Sequence, residues 1–143
     1  MTSTIPFEQK IADGLINNKG GAGGLPDFLG ISITGAEPGI MIGQLEVREE
    51  LLTPFGNMHG GVLSAFCDHM LGCVCYPAMN EGQWAATTEF KINLTAPVSK
   101  GAVEARAEIV NLSRTQAVVR IDLFNEGRTA AVAQGTVTIR DPR

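Results

Sequence analysis

The sequence predicts an α+β domain in which a curved antiparallel sheet wraps one long central helix, with a short helix ahead of it. Three observations lead there. From Val62 to Tyr76 only Ser64, Asp68 and His69 interrupt an apolar run, and a helix that is apolar nearly all round must be covered on more than one side. Four later segments read as strands, and the clean alternation in two of them implies an antiparallel sheet with one covered face. The chain has 143 residues, 44% hydrophobic and 18% charged, which suits one domain with a core of its own. A sheet curved around the helix, with a second subunit closing the remainder, meets both demands.

The elements follow in order. Phe7, Ile11 and Leu15 recur every four residues, with Ile16 beside the last, and predict a short amphipathic helix. The cluster Gly20-Gly21-Ala22-Gly23-Gly24 ends it and reads as a linker, because no GK[ST] follows and no strand precedes it as a phosphate-binding loop requires. The division expected is therefore 1–24 for the N-terminal helix and linker, and 25–143 for the main domain. A strand region runs from Ile31 to Glu49, broken near Glu37-Pro38-Gly39, and Thr53-Pro54-Phe55-Gly56-Asn57 is a turn that delivers the chain to the central helix. Pro77 ends that helix or kinks it at its end. Thr88–Thr95 and Val103–Ile109 alternate cleanly, and Asn111–Arg114 is a turn. Ala117–Phe124 is rich in β-formers, Asn125–Arg128 is a hairpin turn, and Thr129–Arg140 is the last strand.

Bulk properties exclude several classes of function. A net charge of −4 argues against a nucleic-acid-binding face. The three cysteines, Cys67, Cys73 and Cys75, are odd in number and form no CxxC, so they read as reduced core thiols of a cytoplasmic protein. Two histidines, His59 and His69, do not make a metal site at ligand spacing, and no metal or cofactor is expected. No signal peptide is visible, and the Val62–Tyr76 run is too short for a membrane span.

Asp68 is the residue that points to chemistry. An ionised carboxylate is costly to bury unless something pairs with it, and acids in such settings often work as catalysts. The reading from composition alone leaves a structural core acid equally open. Gly60 and Gly61 head the same segment and let a ligand approach the backbone closely.

Asn57-Met58-His59-Gly60-Gly61, with Asp68 nine positions after His59, resembles the HGG…D signature of hotdog-fold acyl-CoA thioesterases, in particular the phenylacetic-acid-degradation subfamily. Leu29-Gly30-Ile31, the stretch Thr88 to Pro97, and Val132-Ala133-Gln134-Gly135-Thr136 are similar to that subfamily as well, so the resemblance spans about residues 25 to 140. It implies a hotdog fold, an acyl-CoA substrate, and a homodimer or dimer of dimers as the working unit. It also implies Asp68 as nucleophile or catalytic acid–base, the Gly60 N–H as the group polarising the thioester carbonyl, and Thr87 as a hydroxyl orienting water. Relatives often carry Asn six residues before the HGG histidine, where this chain has Thr53, and Asn57 lies only two before it.

Thioester hydrolysis needs a carboxylate to attack or to activate water, and a donor for the developing oxyanion. A helix N-terminus offers free N–H groups. Gly60 and Asp68 are eight residues apart, about 12 Å along one helix, so they cannot both touch one carbonyl from the same chain. Antiparallel pairing of two copies would oppose Gly60 of one to Asp68 of the other and give two composite sites per dimer. The candidate site is thus Asp68, Gly60, His59 and Thr87, with Thr53, Asn57, Gly61 and Arg114 toward the substrate; Arg114, and Arg128 beside it as a candidate, suit the phosphates of CoA. Plainer roles stand next to these: His59 or Asn57 as helix caps, Thr87 and Thr88 as ordinary strand residues, Trp84 as packing, and the arginines as solvated surface. A hydratase or dehydratase, or a non-catalytic acyl-CoA-binding module, are the competing functions.

Overall fold

The computed structural model describes residues 4–18 and 23–143. Its centre is the helix α3, Gly60–Cys73. Leu63, Phe66, Cys67, Met70 and Leu71 are all buried, in a column that recurs every three to four residues. That column lies on a single antiparallel sheet of six strands in the order β1-β2-β4-β5-β6-β3. The strands are β1 Ser32–Glu37, β2 Ile40–Glu46, β3 Trp84–Leu94, β4 Ala102–Leu112, β5 Gln116–Asn125 and β6 Arg128–Arg140. The helix wrapped by a curved antiparallel sheet is the architecture expected, and the break at Pro38-Gly39 separates β1 from β2.

Alternation dictates which side chains meet the helix. Val103, Ala105, Ala107 and Ile109 of β4, and Ala117, Val119, Ile121 and Leu123 of β5, are buried at every second position. Several of the sheet's inward residues are small, and this sets how closely α3 can lie. A Cβ added at Gly43 would stand 2.6 Å from Met70 Sδ and 3.3 Å from Phe66 Cε2. The helix therefore rests almost on the β2 backbone.

The N-terminal helix forms as α1, Gln9–Asn17. It is docked, with Ala12 fully buried, Leu15 and Ile16 packed on the core, and the Glu8 N–H donating to Pro77 O at 2.7 Å. Residues 20–22 of the expected linker lie outside the described residues. Gly24 is not linker: it begins a further short helix, α2, Gly24–Leu29, for which the sequence pattern carries no signal. Asp27 Oδ2 accepts the Gly23 N–H at 2.7 Å, and Gly30, at φ 76°, closes the helix in the left-handed region. Glycine here frames a helix rather than only loosening the chain.

Candidate active site

The turn before α3 is tied to itself. The Thr53 N–H donates to Asn57 O at 2.7 Å, the Thr53 hydroxyl to Asn57 Oδ1 at 3.2 Å, and the Phe55 N–H to Thr53 Oγ1 at 3.2 Å. Thr53 and Asn57 thus hold each other. His59 occupies the N-cap, where its Nδ1 accepts the Gly61 N–H at 2.8 Å. One helix-start donor is thereby used, and the Gly60 N–H is left with no acceptor among the described residues. Gly60 opens on a cleft of about 260 Å³ with Asn57, Leu63 and the β3–β4 connection Thr95–Val98. A Cβ at Gly60 would stand 2.7 Å from Leu94 Cδ1, the flexible end of an exposed side chain, so glycine leaves the most room at the amide.

Asp68 departs from expectation. The apolar run predicts a buried carboxylate, and within this chain Asp68 is exposed. The reason is helical period: two residues from both Phe66 and Met70, it stands about 200° round the axis from the buried column. Gly61, Ala65, Asp68 and Gly72 follow one another along this outward side at spacings of four, three and four, and none is buried. The all-round apolarity of the segment reflects small and mid-sized residues on this open side rather than a second covering layer within the chain.

Asp68 shares a cleft of about 470 Å³ with His69, Gly72, Cys73, Tyr76, Ala85 and Thr87. Thr87 reaches that cleft through a bulge. The β3–β6 register slips between Thr87 and Glu89, leaving Thr88 as the extra residue. Ala85 and Thr87 therefore share the helix side with Phe90 and Ile92, although an uninterrupted period of two would have put Thr88 there. Thr88 instead meets the Thr138 hydroxyl. Just past the bulge, where Gly135 pairs with Phe90, a Cβ at Gly135 would lie 2.5 Å from both Glu89 O and Phe90 Cβ.

His69 is half-buried, with Nε2 3.3 Å from Cys73 Sγ. Burial holds its imidazole below the ordinary 6.5, against the opposing pull of the Asp68 carboxylate. Burial likewise pushes the thiols of Cys67, Cys73 and Cys75 up to about 12. Arg114 is exposed in the β4–β5 turn, at the end of the sheet where β3 begins, the same end as Thr87. Arg128 lies at the other end, donating to Pro97 O at 2.8 Å beside the Gly60 cleft. Among the described residues no cluster of three or more His, Cys, Asp or Glu could hold a metal, and no helix is long and apolar enough to cross a membrane.

Two groupings result: Asp68 with Thr87, and Gly60 with Asn57. They line separate clefts of one chain. Sequence reasoning missed Tyr76, Cys73 and Leu94 as cleft residues, since each lies in an apolar pattern that carries no chemical signal.

Comparison with known proteins identifies the family. The chain is 27% identical over 121 residues to a 1,4-dihydroxy-2-naphthoyl-CoA hydrolase of Listeria monocytogenes, covering 84% of this chain and 98% of that protein. The crystal structure of a thioesterase from Haemophilus influenzae superposes with a TM-score of 0.80 at 25% identity, over 99% of this chain and 93% of the other. The E. coli PaaI protein of the phenylacetic acid degradation operon shares the fold, with a TM-score of 0.82 at 20% identity, over 93% of this chain and 96% of that one. A family model of the thioesterase superfamily matches residues 55–132, more than half of the sequence and including both His59-Gly60-Gly61 and Asp68. The chain belongs to the thioesterase superfamily, a hotdog-fold family of thioester hydrolases.

Proposed function

We propose that this protein hydrolyses acyl-CoA thioesters at composite sites formed between two copies of α3. The observation that carries the reading is the division of the helix. The Gly60 amide, without an acceptor among the described residues, stands at its tip, and the Asp68 carboxylate stands about 12 Å further along the same rod, in a different cleft. Antiparallel pairing through the side bearing Gly61, Ala65, Asp68 and Gly72 opposes each amide to the other chain's carboxylate. The pairing centres on Ser64–Ala65, where no bulky side chain stands in the way. The unpaired outer edge of β3 gives the same dimer a second contact, since an eleven-residue open edge is a template for another strand.

The chemistry follows from these groups. Asp68 either attacks the thioester carbonyl or takes a proton from the water that does, and Thr87, in the same cleft, is placed to orient that water. The Gly60 N–H, reinforced by the positive end of α3, stabilises the oxyanion. The carbon–sulfur bond then breaks and CoA leaves as its thiol. His59 acts as a cap that fixes the loop presenting Gly60, and Gly61 spends its N–H on that cap. Arg114 contributes charge toward the nucleotide phosphates. The free thiols support a cytoplasmic setting.

The decisive assay is thiol release from a panel of aliphatic and aromatic acyl-CoAs by wild type and Asp68→Asn. The substitution keeps shape and removes charge, and turnover should fall about a hundredfold or more. Undiminished hydrolysis by the variant would remove Asp68 from the mechanism. Tight acyl-CoA binding by wild type without thiol release would make the protein a binding module, and hydration of an enoyl thioester would make it a hydratase.

A further inference from the structure

A second, larger groove adjoins the Asp68 cleft. It measures about 580 Å³ and runs between α1 and the turn that precedes β3. Tyr76 lines both the groove and the Asp68 cleft, which puts the two spaces side by side. Apolar surface comes from Ile11, Tyr76 and Met79. Ile11 is the middle member of the Phe7–Ile11–Leu15 stripe, yet it is 43% exposed. Docking of α1 does not depend on it, because Ala12 is the buried residue and Leu15 and Ile16 make the core contacts.

Both walls are preformed. Gln83 ties the far wall: its side chain accepts the Asn80 N–H at 3.0 Å and donates to Asp141 at 2.9 Å, and its own N–H bonds Asn80 O at 3.1 Å. The near wall is fastened where the Glu8 N–H meets Pro77 O. A groove of this size, with an apolar strip of Ile11, Tyr76 and Met79 between polar rims, is within the range that takes small-molecule ligands.

We propose that this groove receives the aliphatic tail of the substrate's acyl group, and that Ile11 and Met79 set how long a chain the enzyme accepts. The proposal rests on the thioesterase reading above. The direction of the substrate is argued from charge. From a carbonyl held at Asp68, one end of the substrate is the acyl group and the other carries the CoA phosphates. The exposed charges lining the groove are Glu8, Lys10 and Glu81, two acids against one base, a poor setting for phosphate and a neutral one for hydrocarbon.

The test is kcat/KM for acetyl-, hexanoyl- and decanoyl-CoA with wild type, Ile11→Trp and Ile11→Ala, with the oligomeric state of each followed by size-exclusion chromatography. Residue 11 is exposed enough for either change to leave the fold intact. The expected result is that Ile11→Trp lowers decanoyl-CoA turnover about tenfold or more while acetyl-CoA stays within about twofold, and that Ile11→Ala keeps the long chain. Equal effects on all chain lengths, or none, overturn the proposal. So does a wild type that hydrolyses acetyl-CoA but not decanoyl-CoA, or a loss of the dimer in Ile11→Trp, which would assign the groove to a second copy of the chain. A wild type inert on every acyl-CoA would instead sink the thioesterase reading, and this assignment with it.

Discussion

Two inactive variants should restore one another. Gly60→Val places a branched side chain in front of the amide proposed to meet the oxyanion, and Asp68→Asn removes the carboxylate. A Cβ at residue 60 would meet only Leu94 Cδ1, at 2.7 Å, and Leu94 is 53% exposed and free to swing aside, so the variant keeps its fold. The eight residues between the two positions correspond to about 12 Å of helix. A thioester carbonyl needs its donor at about 3 Å and its attacking oxygen at about 3–3.5 Å. These reaches sum to little more than half the separation, so no carbonyl is served by both groups of one chain. In a heterodimer of the two variants, one site joins intact Gly60 to intact Asp68, and the other joins both lesions. A heterodimer isolated with two different affinity tags should then show about half the wild-type turnover, and a random mixture about one quarter, while each parent alone is inactive. The readout is thiol release with the same acyl-CoA throughout. An inactive heterodimer would refute the composite site and require each chain to carry a complete one.

Gly135→Ala should destabilise the fold by about 1–3 kcal/mol, because its Cβ would press on the Glu89 carbonyl and on Phe90 at 2.5 Å; urea midpoints would check this, and an unchanged midpoint would show that the bulge can yield. His69 makes stability depend on pH with a definite sign. Its folded-state affinity for protons is lowered by burial, so the unfolded chain takes up the proton first, and the contribution present above about pH 6.5 is lost as pH falls toward the folded value. The melting temperature of wild type should therefore drop more between pH 7.5 and 5.5 than that of His69→Gln, and parallel curves would contradict this. Cys67 and Cys75, fully buried and held protonated up to about 12, should react with a disulfide reagent at pH 8 only after denaturant is added. Prompt labelling of the native protein would show that the core around α3 opens readily.

Much of the fold was legible because burial writes periodicity. The β4 alternation survives into the structure residue for residue, the segment read as rich in β-formers is β5, and the apolar run around Asp68 does form the central helix. The helix α2 was not legible, because Gly23, Gly24 and Pro26 together carry a turn signal and only the local Asp27 contact reverses it. Within the candidate site, the HGG spacing pointed to Gly60, and the geometry of a helix was enough to argue that Gly60 and Asp68 serve different carbonyls.

What the chain alone determined was the set of chemical groups and their separation along one rod, since rise per residue is a property of any α-helix. What tertiary structure decided was direction. Asp68 points away from its own core because Phe66 and Met70 claim the sheet side. Thr87 rather than Thr88 enters the Asp68 cleft because one extra residue in β3 reverses the parity of every side chain before it. A period-two pattern cannot announce that reversal, because the extra residue shows only in the pairing with β6, where Gly135 leaves room for Glu89 and Phe90 just past the bulge.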